Sequence, residues 1–439
     1  MTTQLPFPSV RQEELHQPFR PEEAQFEAER CLYCADAPCM QACPTHIDIP
    51  GFIKKIDTGN VTGSAKTILQ ANFLGGTCAR VCPVEELCEG ACVLNKTERP
   101  ISIGRLQRYA TDYSAHNDGA LLEAGTPTGK KVLVVGSGPA GLSAAATLAQ
   151  SGHFVEVWER REMAGGLSTY GIITLREPIE VALHEVKMVE QLGVKVSTNT
   201  SLETQEQLAR VASEFDAVYL GTGLGKVPGL DFPGADKAVD GLEFIAQFKT
   251  APDSLIPPRR VVVIGAGNTA IDAATTARQC GAQATIIYRR TPDEMTAFDA
   301  EYEFATNFGI EFQFLAAPAE ILLDEDGEVS GIRGTRMEVD GVDAAGRKRV
   351  VPSGEPDVII PCDMVISAIG QEKYEEEDSF GLGLNRGFLD VESFKATGQF
   401  ENVFAGGDAI RVTGDASTVM AVQDGKLAAR AINDYLEGK

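Results

Sequence analysis

Eight of the ten cysteines of this chain lie in two groups near its N-terminus, and their spacing limits what this part of the chain can fold into. The first group reads C-x2-C-x4-C-x3-C-P and the second reads C-x3-C-P-x4-C-x3-C. Thiolates gathered by short spacings, with a proline after the last one, are typical of iron–sulfur ligation. We therefore predict an all-α domain over residues 1–128 that holds two [4Fe–4S] clusters.

Spacing also divides the ligands between the two clusters. In the known bacterial run, the last cysteine of one group ligates the other cluster. On that pattern, the first cluster takes three cysteines of the first group and one of the second, namely Cys31, Cys34, Cys39 and Cys92. The second cluster takes Cys43, Cys82 and Cys88. Cys78 is the one cysteine of the two groups that is then left, so counting alone makes it the fourth ligand of the second cluster.

Zinc is the main alternative use of these cysteines. Zinc sites usually pair two C-x2-C knuckles or include histidine. This segment has a single C-x2-C and only His46 nearby, so the pattern favours clusters. Disulfides are disfavoured because the start of the chain does not read as a secretory signal, and we expect a cytoplasmic protein. Cys280 and Cys362 are expected to be ordinary buried thiols.

Length and charge narrow the class of function. A chain of 439 residues suggests about three domains. Its formal net charge of −24 argues against nucleic acid or an anionic membrane as a partner. No apolar stretch approaches the roughly 20 residues that a membrane-spanning helix needs, so we expect no membrane span.

A glycine-rich loop follows a predicted strand at 131–135 and opens a predicted helix at 140–151, as the dinucleotide fingerprint requires. Glycines there let a pyrophosphate approach the helix N-terminus, where free N–H groups favour anions. Glu159 ends the next predicted strand and can accept hydrogen bonds from ribose hydroxyls. Together with the distant Gly406-Gly407-Asp408, the loop indicates FAD. The alternative for Asp408 is a turn aspartate. The candidate FAD-binding residues are Gly136, Gly138, Pro139, Ala140, Gly141, Glu159, Gly166, Leu167, Gly407, Asp408 and Thr418.

A second unit of the same kind begins with a predicted strand at 260–264 and indicates a nicotinamide site. Arginines follow its next predicted strand, where arginine can hold a 2′-phosphate, which favours NADPH. The alternative for this pair is a solvated strand end. The candidate NAD(P)-binding residues are Gly265, Gly267, Asn268, Thr269, Ala270, Arg289 and Arg290.

Three motifs of this chain are Cys31-Leu-Tyr-Cys34-Ala-Asp-Ala-Pro-Cys39, Gly76-Thr-Cys78-Ala-Arg-Val-Cys82-Pro83 and Ile103-Gly-Arg-Leu-Gln107. They resemble the NAD(P)H-oxidising half of dihydropyrimidine dehydrogenase, which is a separate subunit in bacteria. The resemblance covers residues 20–437, and the wider group includes the small subunit of glutamate synthase. The glutamate synthase subunit has a shorter C-P-x-x-C spacing in its second cysteine group. The longer spacing from Cys82 to Cys88 here, and the additional Cys78, favour the pyrimidine branch.

The resemblance implies both a fold and a ligand set. A helical iron–sulfur domain precedes two Rossmann-like domains, with the NAD(P) domain (227–365) inserted into the FAD domain (129–226 and 366–439). Gln107 matches the family's glutamine ligand and replaces Cys78 as the fourth ligand of the second cluster. Two departures concern the nucleotide sites. Ile173 stands where relatives often have proline, and 291–298 lacks the second basic residue of NADPH-specific relatives, which leaves NADH and NADPH open.

The resemblance also implies an electron-transfer function. Hydride is expected to pass from NAD(P)H to FAD, and single electrons to leave through the clusters. The helix beginning near Thr418 is expected to stabilise the reduced flavin. The implied partner is an FMN-containing, pyrimidine-reducing subunit with ferredoxin-like clusters, in a hetero-oligomer, since no segment here resembles that barrel. The alternatives are a glutamate synthase small subunit, a freestanding NAD(P)H:acceptor reductase and a non-catalytic iron–sulfur redox sensor.

Overall fold

The computed structural model describes residues 14–117, 119–225, 227–342, 346–376, 379–413 and 416–439. These residues form two compact units. The larger unit comprises described residues of 14–169, 176–224 and 373–439, and the smaller one those of 170–175 and 225–372. Every helix in the described residues is too short or too polar to span a lipid bilayer.

The cysteine-rich part of the larger unit is helical, as the sequence predicts. Its described α-helices are α1 Pro21–Glu29, α2 Pro38–Ala42, α3 Ile49–Asp57, α4 Val61–Ala71, α5 Gly75–Val81 and α6 Ile103–Asn117. Spaced apolar residues in 50–58, 61–71 and 101–116 predict three of these helices, and α3, α4 and α6 confirm them. The sequence does not predict α2 and α5, because so few residues show no apolar periodicity.

Capping and packing explain this helical arrangement. The Asp48 and Asn60 side chains begin α3 and α4 by accepting from the backbone N–H groups of Gly51 and Gly63, at 3.0 and 2.9 Å. The apolar faces meet in one core that includes Ile49, Phe52, Ile53, Ile56, Ile68 and Leu106. Cysteines of both groups pack in or against this core, namely Cys31, Cys39, Cys43, Cys88 and Cys92. Helix packing therefore brings the two groups together.

A Rossmann-like segment follows, and it belongs to the larger unit except for residues 170–175. Its elements are β1 Lys131–Val135, α7 Pro139–Gln150, β2 Phe154–Trp158, α8 Leu167–Tyr170, α9 Ile179–Glu190, β3 Lys195–Ser197, α10 Gln205–Glu214 and β4 Ala217–Leu220. In β1 every residue but the first is buried, which is typical of a central parallel strand. The parallel register sets Val135 beside Trp158, so Gly136 and Glu159 follow neighbouring strand ends.

The smaller unit repeats this pattern and adds a second layer. Its parallel sheet has the order β5-β13-β6-β7-β8, and an antiparallel sheet of β9 to β12 lies between β8 and β13 in sequence. The antiparallel sheet is not predicted from the sequence. The elements are β5 Val239–Asp240, α11 Gly241–Thr250, β6 Arg260–Ile264, α12 Asn268–Gln279, β7 Gln283–Tyr288, α13 Asp299–Asn307, β8 Glu311–Phe314, β9 Ala316–Leu323, β10 Val329–Val342, β11 Lys348–Pro352, β12 Val358–Pro361 and β13 Met364–Ser367.

The chain then returns to the larger unit. The returning elements are β14 Leu384–Asn385, β15 Phe388–Leu389, β16 Val391–Glu392, β17 Lys395–Ala396, β18 Val403–Ala405 and α14 Thr418–Glu437. Strands β16, β17 and β18 complete a seven-stranded sheet of order β16-β17-β18-β4-β1-β2-β3, and β14 and β15 form a separate two-stranded sheet. The final helix, predicted to begin near Thr418, is confirmed as α14 and packs along α7. The loop after β18 therefore lies near the loop after β1, at the carboxyl edge where parallel sheets bind ligands.

Candidate iron–sulfur and nucleotide sites

The four cysteines predicted for the first cluster line a single cavity. Cys31, Cys34, Cys39 and Cys92 share it with apolar side chains that include Ile49 and Ile53. Burial raises the pKa of the Cys39 thiol to about 11, and the nearby Cys31 adds to this effect. Such thiols need positive charge close by to ionise, and cluster iron supplies it. The arrangement therefore fits a cluster, although ligation itself stays a prediction.

The turn that carries the first two of these cysteines is held in an uncommon conformation. Tyr33, between Cys31 and Cys34, has a φ of 50°, in the left-handed region. Its hydroxyl donates to Asp57 Oδ2 at 3.0 Å, which ties the turn to the end of α3. Strained backbone of this kind persists where surrounding contacts determine it, and such positions often lie at functional sites.

The second cysteine set is also brought together. A hydrogen bond with Cys78, burial and the neighbouring Cys88 and Cys43 all raise the pKa of Cys82. Gln107 is buried on α6, and its Nε2 donates to the carbonyl of Gly75, at the start of α5, at 2.8 Å. Gln107 therefore contacts the start of α5, the helix that carries Cys78, the other candidate for the fourth ligand. The choice of Gln107 over Cys78 stays a prediction.

The described residues include no group of three His, Cys, Asp or Glu side chains arranged to hold a single metal ion. A cubane cluster spreads its ligands over four iron atoms, so it does not need that tighter arrangement. All ten cysteines are free thiols, and Cys280 and Cys362 are buried, as expected.

The first glycine loop is shaped by contacts that exclude a Cβ atom. Gly136 has a φ of 96°, and a Cβ at Gly141 would lie 1.9 Å from the Gly136 carbonyl oxygen. A Cβ at Gly166 would lie 2.5 Å from the Cα of Gly138. Two glycine turns therefore meet backbone to backbone beside the N-terminus of α7, where no side chain caps the helix. This uncapped end and its close walls fit a pyrophosphate.

Glu159 is buried at this loop and organises it. Its Oε2 accepts from the Ser137 hydroxyl at 2.5 Å, and its Oε1 accepts from the Arg161 N–H at 2.9 Å. Ser137 in turn accepts from the N–H of Gly165 at 3.0 Å. The sequence predicts a ribose-binding role for Glu159 and gives no role to Ser137, although a serine inside the fingerprint is an available signal. A carboxylate has about four acceptor positions, so ribose binding remains compatible with these contacts.

Asp408 has the properties expected of a polar ligand to FAD. Its Oδ1 is buried and accepts no hydrogen bond among the described residues, and Arg411 Nε lies 3.8 Å away. Burial raises the pKa of this carboxyl, and Arg411 opposes that effect. Gly407 before it has a φ of 72°, and a Cβ there would lie 2.8 Å from Ala140 Cβ. An orphaned acceptor beside the first glycine loop supports a bound polyhydroxyl chain over a simple turn aspartate.

Three residues at this site are missed by sequence reasoning. Arg411 also pairs with Asp424 on α14, and a Cβ at the next residue, Gly425, would lie 2.1 Å from the carbonyl oxygen of Ala140. For Gly425, the available signal is an isolated glycine inside a helical pattern, which often marks close backbone packing.

Two further predicted FAD-binding residues lie at helix starts. Thr418 is the first residue of α14, and Leu167, at the start of α8, is 41% exposed.

The second glycine loop has the same construction within the smaller unit. Gly265 has a φ of 138°, and a Cβ there would lie 2.2 Å from the carbonyl oxygen of Ala368. Asn268 Oδ1 accepts from the N–H of Phe298 at 3.3 Å, so its side chain fastens a neighbouring loop. Thr269 and Ala270 follow in the first turn of α12. Of the two arginines after β7, Arg290 lies 3.6 Å from Glu294 and Arg289 is exposed.

Two buried carboxyl groups share one hydroxyl near the second cysteine group. Thr77 Oγ1 lies 2.5 Å from both Glu177 Oε1 and Glu185 Oε2. A hydroxyl has one hydrogen, so it donates to one carboxyl and accepts from the other, which must be protonated. Glu185 Oε1 accepts from the N–H groups of Gly76 and Thr77, which leaves its Oε2 to carry the proton. Burial and the charge of Glu177 raise the pKa of Glu185 to about 8.

Replacing Glu185 with glutamine is expected to flatten the pH dependence of stability. Between the ordinary pKa of 4.5 and the folded value of about 8, the folded chain binds the extra proton. The free energy of unfolding therefore falls as pH rises through this window. Glutamine keeps a donor at the same place and does not titrate. Urea unfolding from pH 5 to 9, with exposed Glu190→Gln as the control, measures the change. A stability difference from wild type that is independent of pH would contradict the assignment.

Two protein-family models together match nearly the whole chain. Residues 9–119 match the family model described as dihydropyrimidine dehydrogenase domain II, 4Fe-4S cluster. Residues 130–425 match the model described as pyridine nucleotide-disulphide oxidoreductase. The first model covers the two cysteine groups, and the second covers both glycine loops.

Two curated relatives are similar over almost their full length. The NAD-dependent dihydropyrimidine dehydrogenase subunit PreT of Escherichia coli O157:H7 is 35% identical, over 97% of each chain. The glutamate synthase [NADPH] small chain of E. coli K12 is 33% identical, over 97% of this chain and 94% of that one. Among solved structures, Mycobacterium tuberculosis FprA in complex with NADPH has a TM-score of 0.59 and 18% identity, covering 70% of this chain and 85% of that one. This last likeness concerns the fold alone.

Proposed function

The chain belongs to the pyridine nucleotide-disulphide oxidoreductase family, and from that membership we propose that it is the electron-input subunit of a dihydropyrimidine dehydrogenase. It is an NAD(P)H-dependent oxidoreductase whose cofactors are FAD and iron–sulfur clusters. In the finer proposal, hydride passes from NAD(P)H to FAD and single electrons pass through two [4Fe–4S] clusters. An FMN-containing partner with ferredoxin-like clusters then reduces uracil or thymine, in a cytoplasmic hetero-oligomer.

The observation that carries this proposal is the cavity shared by the two cysteine groups. Cys92 from the second group joins Cys31, Cys34 and Cys39 from the first, which is the crossed arrangement expected of paired clusters. The same compact unit contains the first glycine loop. A cluster site and a flavin site in one compact unit favour electron transfer from the flavin to the clusters. They fit a redox sensor less well, because a sensor needs no hydride donor.

The protein groups have distinct roles in this scheme. A bound FAD would supply the chemistry of accepting a hydride and releasing two electrons one at a time. The uncapped start of α7 would hold the pyrophosphate, Glu159 would hold the ribose, and Asp408 would accept from the polyhydroxyl chain. The first turn of α14, beginning at Thr418, favours negative charge through the helix dipole. No general base is needed, so the chain contributes orientation and electrostatics.

Two features support the pyrimidine branch. The step from Cys82 to Cys88 and the presence of Cys78 resemble dihydropyrimidine dehydrogenase, and PreT is the relative at 35% identity. A glutamate synthase small subunit is the second candidate, because the small chain is nearly as similar, at 33% identity over the same share of this chain.

An anaerobic pull-down of the tagged chain from its native host distinguishes the two candidates. The expected partner, identified by mass, is an FMN-containing subunit with ferredoxin-type cysteine runs. A large amidotransferase would instead establish the glutamate synthase reading. Recovery of the chain without a stable partner would contradict both and favour a freestanding reductase.

The isolated chain is expected to reduce its flavin with NADH or NADPH and to leave uracil unreduced. Its own sites hold a hydride acceptor and clusters, and the pyrimidine chemistry belongs to the partner in this proposal. The measurement is anaerobic bleaching of flavin absorbance with each nucleotide, followed by uracil-dependent nucleotide oxidation with and without the partner. Uracil-dependent oxidation by the pure chain would overturn the division of labour.

A further inference from the structure

Three consecutive residues of α14 contact three different parts of the larger unit. Asp424 pairs with Arg411, which lies beside Asp408. Gly425 packs against the carbonyl of Ala140 in the first glycine loop. Lys426 contacts the cysteine domain. A single turn of α14 therefore contacts both the flavin site and the cysteine domain.

Lys426 contacts the cysteine domain through two backbone carbonyls. Its Nζ donates to the Thr45 oxygen at 3.1 Å and to the Ala71 oxygen at 2.6 Å. These carbonyls belong to two separate segments, one after Cys43 and one at the end of α4. The single ammonium therefore fastens both segments to the helix that lines the flavin site.

The same ammonium lies in the electrostatic field of the second cysteine set. Thr45 Oγ1 lies 3.4 Å from the Cys43 sulfur, and the Thr45 carbonyl binds Lys426. Burial lowers the pKa of Lys426 to about 8, Arg430 acts in the same direction, and Cys43 acts in the opposite direction. In the part of the chain that the structure describes, no carboxylate pairs with Lys426, and a half-buried ammonium without such a partner is costly.

We propose that Lys426 is a positioning residue for electron transfer, which holds the cysteine domain against the flavin site and raises the reduction potential of the cluster bound by Cys43, Cys82 and Cys88. A reduced cluster carries one more negative charge than an oxidised one. A nearby cation in a poorly hydrated setting therefore favours the reduced state. The inference rests on the proposed cluster assignment and does not depend on the final acceptor.

The test is an anaerobic redox titration of the full holoprotein, followed by electron paramagnetic resonance. Lys426→Gln and Lys426→Met both remove the charge. At a fixed potential, each is expected to lower the ratio of reduced to oxidised second cluster by about tenfold, or about 59 mV for a one-electron couple. Lys426→Arg is expected to stay within about twofold of wild type, and the first cluster is expected to keep its potential in every variant.

Two controls separate charge from structure and this inference from the proposed function. Arg430→Gln removes an exposed cation from the same helix, where water screens it, so a smaller shift is expected. Cys43→Ser identifies the signal of the second cluster. If Cys43→Ser keeps every cluster signal, both the ligand assignment and this inference are overturned.

Other outcomes bear on Lys426 alone. A signal that depends on Cys43, with an unshifted potential in Lys426→Gln and Lys426→Met, would overturn the inference and leave the proposed function intact. Loss of the clusters in both charge-free variants and in Lys426→Arg would show a purely structural role and would also overturn it. If only one charge-free variant retains its clusters, the potential of that variant decides.

Discussion

Replacing Cys39 with serine is expected to lower the iron content from about eight atoms per chain to about four, because the first cluster loses a ligand. Cys39 lines a cavity whose other walls are mostly apolar, with Cys31, Cys34 and Cys92 as the remaining sulfur ligands. Serine oxygen is a poor substitute for thiolate in such surroundings, since soft sulfur ligands select iron–sulfur clusters. The loss therefore tests both the ligand set and the number of clusters.

In Cys39→Ser, the functional effect should be confined to electron transfer from the flavin to the partner. Flavin reduction by NAD(P)H is expected to continue, whereas delivery to the partner falls at least about 100-fold, since even changes around ligands cost 10- to 100-fold. Iron and acid-labile sulfide analysis and stopped-flow flavin bleaching measure the two steps separately. Cys280→Ala is the matched control, because Cys280 is a buried thiol outside both groups and should keep all the iron. Full iron content in Cys39→Ser would refute the assignment.

Replacing Gly425 with alanine is expected to destabilise the chain and weaken FAD binding together. The new Cβ would lie 2.1 Å from the Ala140 carbonyl oxygen and 2.9 Å from its carbonyl carbon, and both are backbone atoms. Either α14 or the first glycine loop must therefore move. Overpacking of this kind costs about 1–3 kcal/mol or more. The better helix propensity of alanine returns only about 1 kcal/mol, so the clash dominates.

Thermal unfolding and FAD retention measure this effect. A loss of about 1–2 kcal/mol would lower the Tm by several degrees, at about 2–4 °C per kcal/mol for domains of this size. Gly229→Ala is the control, because Gly229 is exposed and a Cβ there has no atom within 4 Å. An unchanged Tm with full flavin content in Gly425→Ala would show that α14 does not pack this closely on the loop.

Local signals in the sequence predict much of the fold and of the candidate site. The strand–glycine–helix pattern around Gly136 is confirmed because a tight turn, a buried strand and a helix start each depend on neighbouring residues. The helices that become α3, α4 and α6 are predicted for the same reason, since their apolar faces repeat along contiguous segments. The antiparallel sheet of β9 to β12 is missed because its mixed burial pattern has no clear alternation.

What the sequence by itself determined is the chemistry that is available: eight clustered thiols, two glycine loops and the acidic residues Glu159 and Asp408. Only the tertiary structure decided which of these groups meet. The meeting of Cys92 with Cys31 depends on helix packing across the cysteine domain, and that of Gly425 with Ala140 depends on how α14 lies along α7. Lys426 contacts Thr45 although 381 positions separate them. Local backbone preferences act over a few residues, whereas such distant contacts follow from burying the apolar faces of whole helices and sheets together.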